Sequence, residues 1–327
     1  MPDLRWGILG TARINRRLIP AFRAARRSSL TAVASRDRGR ASAFAAEWDI
    51  PRVFAGYDSL LADAAIDAVY VPLPNSEHVR WTLAAIDAGK HVLCEKPLAL
   101  DPADVERIAA AARTRDVIVE EGFMYPHEPQ TAKVLELVSA GAVGVVRAIV
   151  AGFTFALTRT DDVRLDPALG GGALWDIGGY PVTYARMIAG RNPTMVFGSA
   201  RWSASGVDEE FMGLLRFHGG MTSTVYASFT AAYRTWLEVI GSEGVLTVPH
   251  PFRPEPRETL DLTRQGKVDR IEVLGSDVLF VREVEDFEAS VLDGTPSVVS
   301  LADSRDTARI LAGLHASARD RSALYPQ

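Results

Sequence analysis

Up to about residue 120, short runs rich in β-branched residues alternate with stretches whose apolar positions recur every three to four residues. Arg5–Leu9, Leu30–Ser35, Ala68–Val71, His91–Glu95 and Val117–Glu121 read as strands. Between them, Asn15–Ala25, Arg38–Trp48, Ser76–Ala88 and Pro102–Thr114 read as helices. Strand–helix alternation of this kind predicts a parallel sheet with helices on both faces, a doubly wound α/β domain. After Phe123 the period changes. One helix-like stretch, Gln130–Ser139, precedes long aromatic and β-branched runs at Val145–Leu157 and Met195–Val248. Turn signals at His218-Gly219-Gly220 and Gly241-Ser242-Glu243-Gly244 break these runs, so a large, open, mostly antiparallel sheet is expected. Pro249–Pro256 reads as a loop, and the amphipathic stretches Val278–Leu292 and Leu301–Arg319 read as helices that pack back, on the first domain among other places. The expected division is residues 1–122 and 123–327.

Composition narrows the class. With 47% hydrophobic residues the 327-residue chain can fill two cores, and 24% charged residues at a net charge of −5 leave no basic field for a nucleic acid. Cys94 is the only cysteine, which excludes an intrachain disulfide and a Cys-rich zinc site. The six histidines show no metal-ligand spacing, so no metal is expected. Ala148–Leu157, the longest near-apolar stretch, is too short to cross a bilayer. Met1-Pro2-Asp3 runs directly into Trp6-Gly7-Ile8-Leu9-Gly10 without a charged leader region. A soluble, cytoplasmic protein with neither membrane nor nucleic-acid partner is expected.

Chemistry begins at the first turn. The strand Arg5–Leu9 delivers the chain into Gly10-Thr11-Ala12-Arg13-Ile14-Asn15, and a helix follows. Free backbone N–H groups and the positive helix end suit a pyrophosphate there. Ala12 and Asn15 stand where the second and third glycines of Gly-x-Gly-x-x-Gly would stand, so the motif alone is weak. The second strand ends at Ser35-Arg36, with Arg40 close behind. A hydroxyl beside a guanidinium accepts a ribose 2′-phosphate, which favours NADP, while Asp37 keeps NAD open.

Two further motifs are more specific. Tyr70-Val71-Pro72-Leu73-Pro74-Asn75 is followed by His78, and Gly89-Lys90-His91-Val92-Leu93-Cys94 by Glu95-Lys96-Pro97. With Phe123-Met124-Tyr125 and the run Gly170 to Pro181, they give the chain, over nearly its whole length, a resemblance to the glucose–fructose oxidoreductase, inositol dehydrogenase and rhizopine catabolism (Gfo/Idh/MocA) family of nicotinamide oxidoreductases. The resemblance implies a dinucleotide-binding Rossmann domain at 1–122 and a substrate-binding and oligomerisation α+β domain at 123–327. It implies cofactor contacts from Pro72, Leu73, Asn75, His78, Glu95 and Lys96, and a homodimer or homotetramer formed through the exposed face of the sheet. Many relatives carry His where this chain has Tyr180; the Tyr subset includes glucose–fructose oxidoreductase, dimeric dihydrodiol dehydrogenase and NADP-dependent sugar ketoreductases.

The residues themselves suit that chemistry. Lys96, at the carboxyl end of a parallel strand, can stabilise an alkoxide and lower the pKa of a neighbouring hydroxyl. Asp176 and Tyr180 are four apart and would share one helix face. Gly178, Gly179 and Pro181 argue against an ordinary helix, since an interior glycine costs about 1 kcal/mol and a proline about 3. Local rules broken so heavily mark a functional segment, and its small residues would let the backbone approach a flat ring. Tyr180 then acts as general base and Asp176 holds substrate hydroxyls, whereas the plain alternative is a buried tyrosine and a cap. Phe123, Tyr125, Arg164 and Trp175 are expected to border the substrate, Arg159 more weakly. Tyr125-Pro126-His127-Glu128-Pro129-Gln130 departs from the relatives' Tyr-Arg-x-His-Pro-Gln, and His127 reads as a solvated loop residue. The expected activity is hydride transfer between NADP and a carbinol or ketone of a sugar or polyol. The alternatives are a trans-dihydrodiol dehydrogenase-like activity, an idle nucleotide-binding sensor of the same family, and a methyltransferase on a similar sheet.

Overall fold

The computed structural model describes residues 3–322 and 324–325, so Met1 and Pro2 of the N-terminal reading lie outside the described residues. The chain divides into two compact units. The first holds the residues up to His127 together with Val278–Arg305; the second holds Glu128–Asp277 and the residues from Asp306 on. No helix among the described residues is long and apolar enough to cross a membrane.

The first unit is built on six parallel strands: β1 (Leu4–Leu9), β2 (Ser28–Ser35), β3 (Arg52–Ala55), β4 (Ala68–Val71), β5 (His91–Glu95) and β6 (Val119–Gly122). Their spatial order is β3-β2-β1-β4-β5-β6, the doubly wound arrangement, with the reversal between β1 and β4. Helices α1 (Asn15–Ala24), α2 (Arg38–Glu47), α3 (Tyr57–Leu61), α4 (Asn75–Asp87) and α5 (Pro102–Arg115) connect them. β4 is buried at every position because helices cover both faces, which is why its sequence reads as an unbroken apolar run. Trp6 is fully buried, its ring 4.8 Å from Phe22 and 5.0 Å from Phe287 of the returning segment. At the β6 edge, Glu120 accepts from the Val299 N–H at 3.1 Å. His127, expected to be solvated, is instead buried between Glu120 (3.4 Å) and Asp286 (2.9 Å).

The second unit carries an eight-stranded sheet: β7 (Val146–Thr154), β8 (Met195–Trp202), β9 (Asp208–Arg216), β10 (Thr222–Ser228), β11 (Arg234–Gly241), β12 (Val245–Val248), β13 (Arg257–Arg264) and β14 (Lys267–Leu274). Their order is β14-β13-β12-β11-β7-β10-β9-β8, and each pair is antiparallel except β7 with β10. Helices α6 (Pro129–Ser139) and α7 (Gly179–Ala189) precede β8; α8 (Val281–Asp293) belongs to the first unit, and α9 (Leu301–Asp320) enters the second from Asp306. One face of the sheet is dry, with Phe153, Phe211, Leu215, Val225 and Leu237 buried. The other stays open: Phe197 is 39% and Met212 58% exposed, and Trp236 lies across Gly152, where a Cβ would sit 2.4 Å from the indole.

Residues 174–189 correct the sequence reading. Despite Gly178, Gly179 and Pro181 the segment is helical, a π turn at Leu174–Gly178 running into α7. Pro181 lies just past the junction where the π turn passes into α7, so its missing N–H falls where the helical register changes. The π turn accommodates the glycines, and such turns cluster at functional sites.

Candidate functional site

In the first unit the switch point is lined by the turn after β1. Gly10 adopts φ +108°, closed to most side chains, and its N–H bonds Ala34 O at 2.8 Å. A Cβ there would meet Leu73 Cδ2 at 3.0 Å and Tyr57 Oη at 3.5 Å. Asn15 is fully buried and donates from Nδ2 to Gly10 O at 2.9 Å, which ties the turn to the start of α1. That bond explains an asparagine in place of the third glycine. Among the described residues, the N–H groups of Thr11, Ala12, Arg13 and Ile14 have no protein acceptor. Four consecutive donors at a helix N-terminus fit the pyrophosphate of a dinucleotide.

At the end of β2, Ser35 Oγ accepts from the Asp37 N–H at 3.3 Å, and Asp37 caps α2 through the Arg40 N–H at 2.9 Å. The carboxylate is thus committed to a helix end. Arg36 is exposed and its charge acts on the Tyr57 hydroxyl, whose ring packs edge-on against Trp81 at 4.7 Å. Burial nevertheless pushes the Tyr57 phenol upward in pKa. Arg36 and Ser35 offer a 2′-phosphate what a carboxylate would refuse it. Arg40 is exposed one turn further along.

Glu95 and Lys96 close β5. Glu95 accepts from the Tyr70 hydroxyl at 2.6 Å, and the following Lys96–Pro97 peptide is cis. His78 is fully buried, with Nδ1 2.7 Å from Pro97 O and Nε2 2.7 Å from Leu73 O. It therefore sits between the Pro72–Asn75 turn and the Lys96–Pro97 turn, its single N–H donating to one of these carbonyls, and both ring nitrogens face backbone oxygen rather than a cofactor. Burial lowers its pKa, and the Lys96 ammonium nearby lowers it further. Glu121 anchors the same turn by accepting from the Leu98 N–H at 2.9 Å. Phe123 and Tyr125 are 1% and 0% exposed, packed edge-on at 6.1 Å, so the structure places both among core side chains.

In the second unit, Asp176 lies on the π turn and Tyr180 on the first turn of α7. The Tyr180 ring is 3% exposed, 5.5 Å from Phe153 and 5.4 Å from Phe252. Arg164 reaches Asp176 through Nε at 2.5 Å and Asp162 through Nη1 at 3.1 Å. The Asp176 carboxylate holds the guanidinium well above its ordinary pKa. Arg164 and Asp176, expected as separate substrate contacts, are thus one ion pair. Arg159 pairs with Asp161 at 3.1 Å, and Trp175 packs against His315 at 5.8 Å. The glycine run serves packing: a Cβ on Gly171 would lie 2.4 Å from Arg164 O, and one on Gly172 2.2 Å from Asp208 Oδ1. At these two positions the backbone comes close to a protein carbonyl and a protein carboxylate.

A family model described as oxidoreductase family, NAD-binding Rossmann fold, matches residues 4–123, and the GFO/IDH/MocA C-terminal domain matches 131–247. The chain belongs to the Gfo/Idh/MocA oxidoreductase family. Among curated members it is 36% identical over 326 residues to D-xylose 1-dehydrogenase (NADP(+)) 2 of Haloferax volcanii, covering 98% of this chain and 99% of the relative. It is 40% identical over 254 residues to the dTDP-3,4-didehydro-2,6-dideoxy-alpha-D-glucose 3-reductase of Streptomyces violaceoruber, covering 77% and 74%. Among solved Gfo/Idh/MocA structures, a 3-ketoreductase from Actinomadura kijaniata in complex with NADP and TDP-benzene superposes at a TM-score of 0.91 and 33% identity over 96% of this chain and 98% of the other.

Three roles escaped the sequence reading of this family member. Tyr57 sits on α3, a five-residue helix too short to show a period, and Tyr70 was read within a motif but given no partner. Asp208, at the head of β9, accepts from the Leu174 N–H at 2.7 Å while 1% exposed. A cavity of about 690 Å³, bordered by Val105, Arg113, Ile118 and Leu301, lies at the amino end of β6, away from the strand ends that carry the residues above.

Proposed function

We propose that this chain is a reversible NADP-dependent oxidoreductase that moves hydride between the nicotinamide and a carbinol or ketone of a sugar or sugar-like polyol. The observation that carries this is the conjunction, at the carboxyl ends of β1 and β5, of four N–H donors without a protein acceptor and the Glu95-Lys96-Pro97 turn. The N–H groups of Thr11–Ile14 hold the pyrophosphate, and Ser35 with Arg36 holds the 2′-phosphate, with Arg40 in support. Bound NADP supplies the hydride acceptor or donor. Lys96 stabilises the alkoxide formed as the substrate hydroxyl loses its proton, and Tyr180 takes that proton as general base. Asp176, oriented by Arg164, receives the remaining hydroxyls, and Trp175 borders the ring. That relatives over nearly the full length are a xylose dehydrogenase and a 3-ketoreductase supports a sugar substrate.

The test is NADPH formation or consumption with a panel of aldoses, ketosugars and a trans-dihydrodiol. Lys96→Ala and Tyr180→Phe should each lower kcat by at least about 100-fold while NADPH affinity, read by fluorescence, stays within threefold. Turnover of the dihydrodiol alone would move the chain to that activity, and NADPH binding with no turnover across the panel would make it a sensor. The open sheet face around Phe197, Met212, Tyr226 and Trp236 is read as the contact of a homodimer or homotetramer. The single cysteine fits a cytoplasmic enzyme.

A further inference from the structure

Resting on the proton-transfer role proposed for Tyr180, we infer that Asp208 is the positioning residue that fixes the Asp176–Tyr180 segment on the sheet. The helical stretch 174–189 begins with no cap of its own: Ala173, at the cap position, has no side-chain acceptor. Its first N–H groups would be orphaned in a dry interior. Asp208 supplies the acceptor from a different element. Oδ2 takes the Leu174 N–H at 2.7 Å, the first N–H of the helical stretch. The Asp176 N–H bonds back to Gly172 O at 3.0 Å, so the turn that starts at Gly172 and carries Asp176 is pinned where Asp208 holds it. A carboxylate at this end also answers the helix dipole.

Gly172 is the second half of the device. It adopts φ +125°, and a Cβ there would stand 2.2 Å from Asp208 Oδ1, so only glycine lets the carboxylate in. Asp208 itself is aimed by a bulge. Arg201 pairs with Glu210, but Trp202 pairs with Asp208, leaving Glu209 as the extra residue. Without it Asp208 would share the open face with Met212; with it the side chain joins Phe211 and Leu215 on the dry face. β9 is locked between β8 and β10, so the acceptor is as fixed as the sheet. Asp208 touches no substrate in this scheme. Its effect passes through the helix that presents Asp176 and Tyr180.

The experiment compares Asp208→Asn, which keeps one acceptor, with Asp208→Ala, which keeps none. Three quantities are read: amide exchange across 173–180, the NADPH dissociation constant, and kcat against KM for the panel sugar that wild type turns over fastest. Exchange in 173–180 should rise at least about tenfold in Asp208→Ala and less in Asp208→Asn, with β1–β6 amides and NADPH binding unchanged. kcat should fall about tenfold in Asp208→Asn and about 100-fold in Asp208→Ala, with KM moving less than threefold. Unaltered exchange in 173–180 would overturn the inference, and so would faster exchange with kcat intact. Weakened NADPH binding in step with kcat would overturn it too, since the defect would then be general. A Tyr180→Phe variant with full turnover would sink the role given to Tyr180; the exchange readout would still decide whether Asp208 holds the segment.

Discussion

Two glycines six residues apart make opposite predictions for the same substitution. At Gly172→Ala the new methyl meets Asp208 Oδ1 at 2.2 Å on a backbone at φ +125°. A non-glycine residue there costs about 1–3 kcal/mol in backbone strain. The carboxylate must also retreat, and a buried Leu174 N–H left without its acceptor costs about another 1–3 kcal/mol. The sum, about 2–6 kcal/mol, is a large share of the roughly 5–15 kcal/mol that holds a domain together. At Gly178→Ala the backbone is helical (φ −70°), and the methyl meets only the tip of Leu174 at 2.9 Å, which can rotate away. Helix propensity there returns up to about 1 kcal/mol, so the net change should lie within about 1 kcal/mol of zero. Urea unfolding followed by tryptophan fluorescence measures both, with NADPH binding as the check that the first unit is intact. A Gly172→Ala loss below 1 kcal/mol, or a larger loss at Gly178→Ala than at Gly172→Ala, would refute the reasoning.

Arg36→Ala should weaken NADPH binding by about 10- to 100-fold and leave NADH binding within threefold, as competition titrations would show, because only the 2′-phosphate needs the guanidinium. Burial pushes the Asp208 carboxyl up to about 7 from an ordinary 3.8. The folded state therefore keeps a proton that the unfolded chain has released. Wild-type stability relative to Asp208→Asn should thus be greatest below about pH 4 and decline by up to about 1.4 kcal/mol per unit until about pH 7, measured by urea titrations across that range. Cys94 is fully buried and its thiol pushed up in pKa by that burial, so the native protein should resist thiol alkylation for hours and react within minutes in urea. Met212→Glu together with Phe197→Glu should abolish the self-association proposed for the open sheet face, read by light scattering, without changing NADPH affinity.

The first unit was legible because its physics is local. A strand buried on both faces must be an apolar run, and the helices between show their period, so β1, β2, β4 and β5 and helices α1, α2, α4 and α5 fall close to where the pattern puts them. β3 and α3 are four and five residues long, less than a repeat of either period, and they vanish into the loop. The same shortness hid Tyr57. In the second unit the sheet showed through its β-branched runs and turns, while β13 and β14 did not, since the outward half of that hairpin is charged: Arg264 and Lys267 flank Gln265-Gly266, both at positive φ.

The candidate site was legible as a list of residues and illegible as a set of partners. Arg164 and Asp176 were each read as facing a ligand, yet twelve positions apart in sequence they face one another. His78 was read with the cofactor and instead sits between two backbone carbonyls. In both cases the side chain suits a ligand and a protein partner equally, and only the fold decides which it meets. Asp208 marks the sharper limit. Strand alternation turns every second residue outward, and by that rule it belongs with Glu210 and Met212. One extra residue, Glu209, reverses the parity and sends a carboxylate into the core, toward the uncapped start of the helical stretch that carries Asp176 and Tyr180. A bulge leaves no compositional mark, so the residue that orders the segment is the one that pattern reading assigns to the wrong face. The glycine opposite it was visible all along, but its reason was not: Gly172 is small because Asp208 is there.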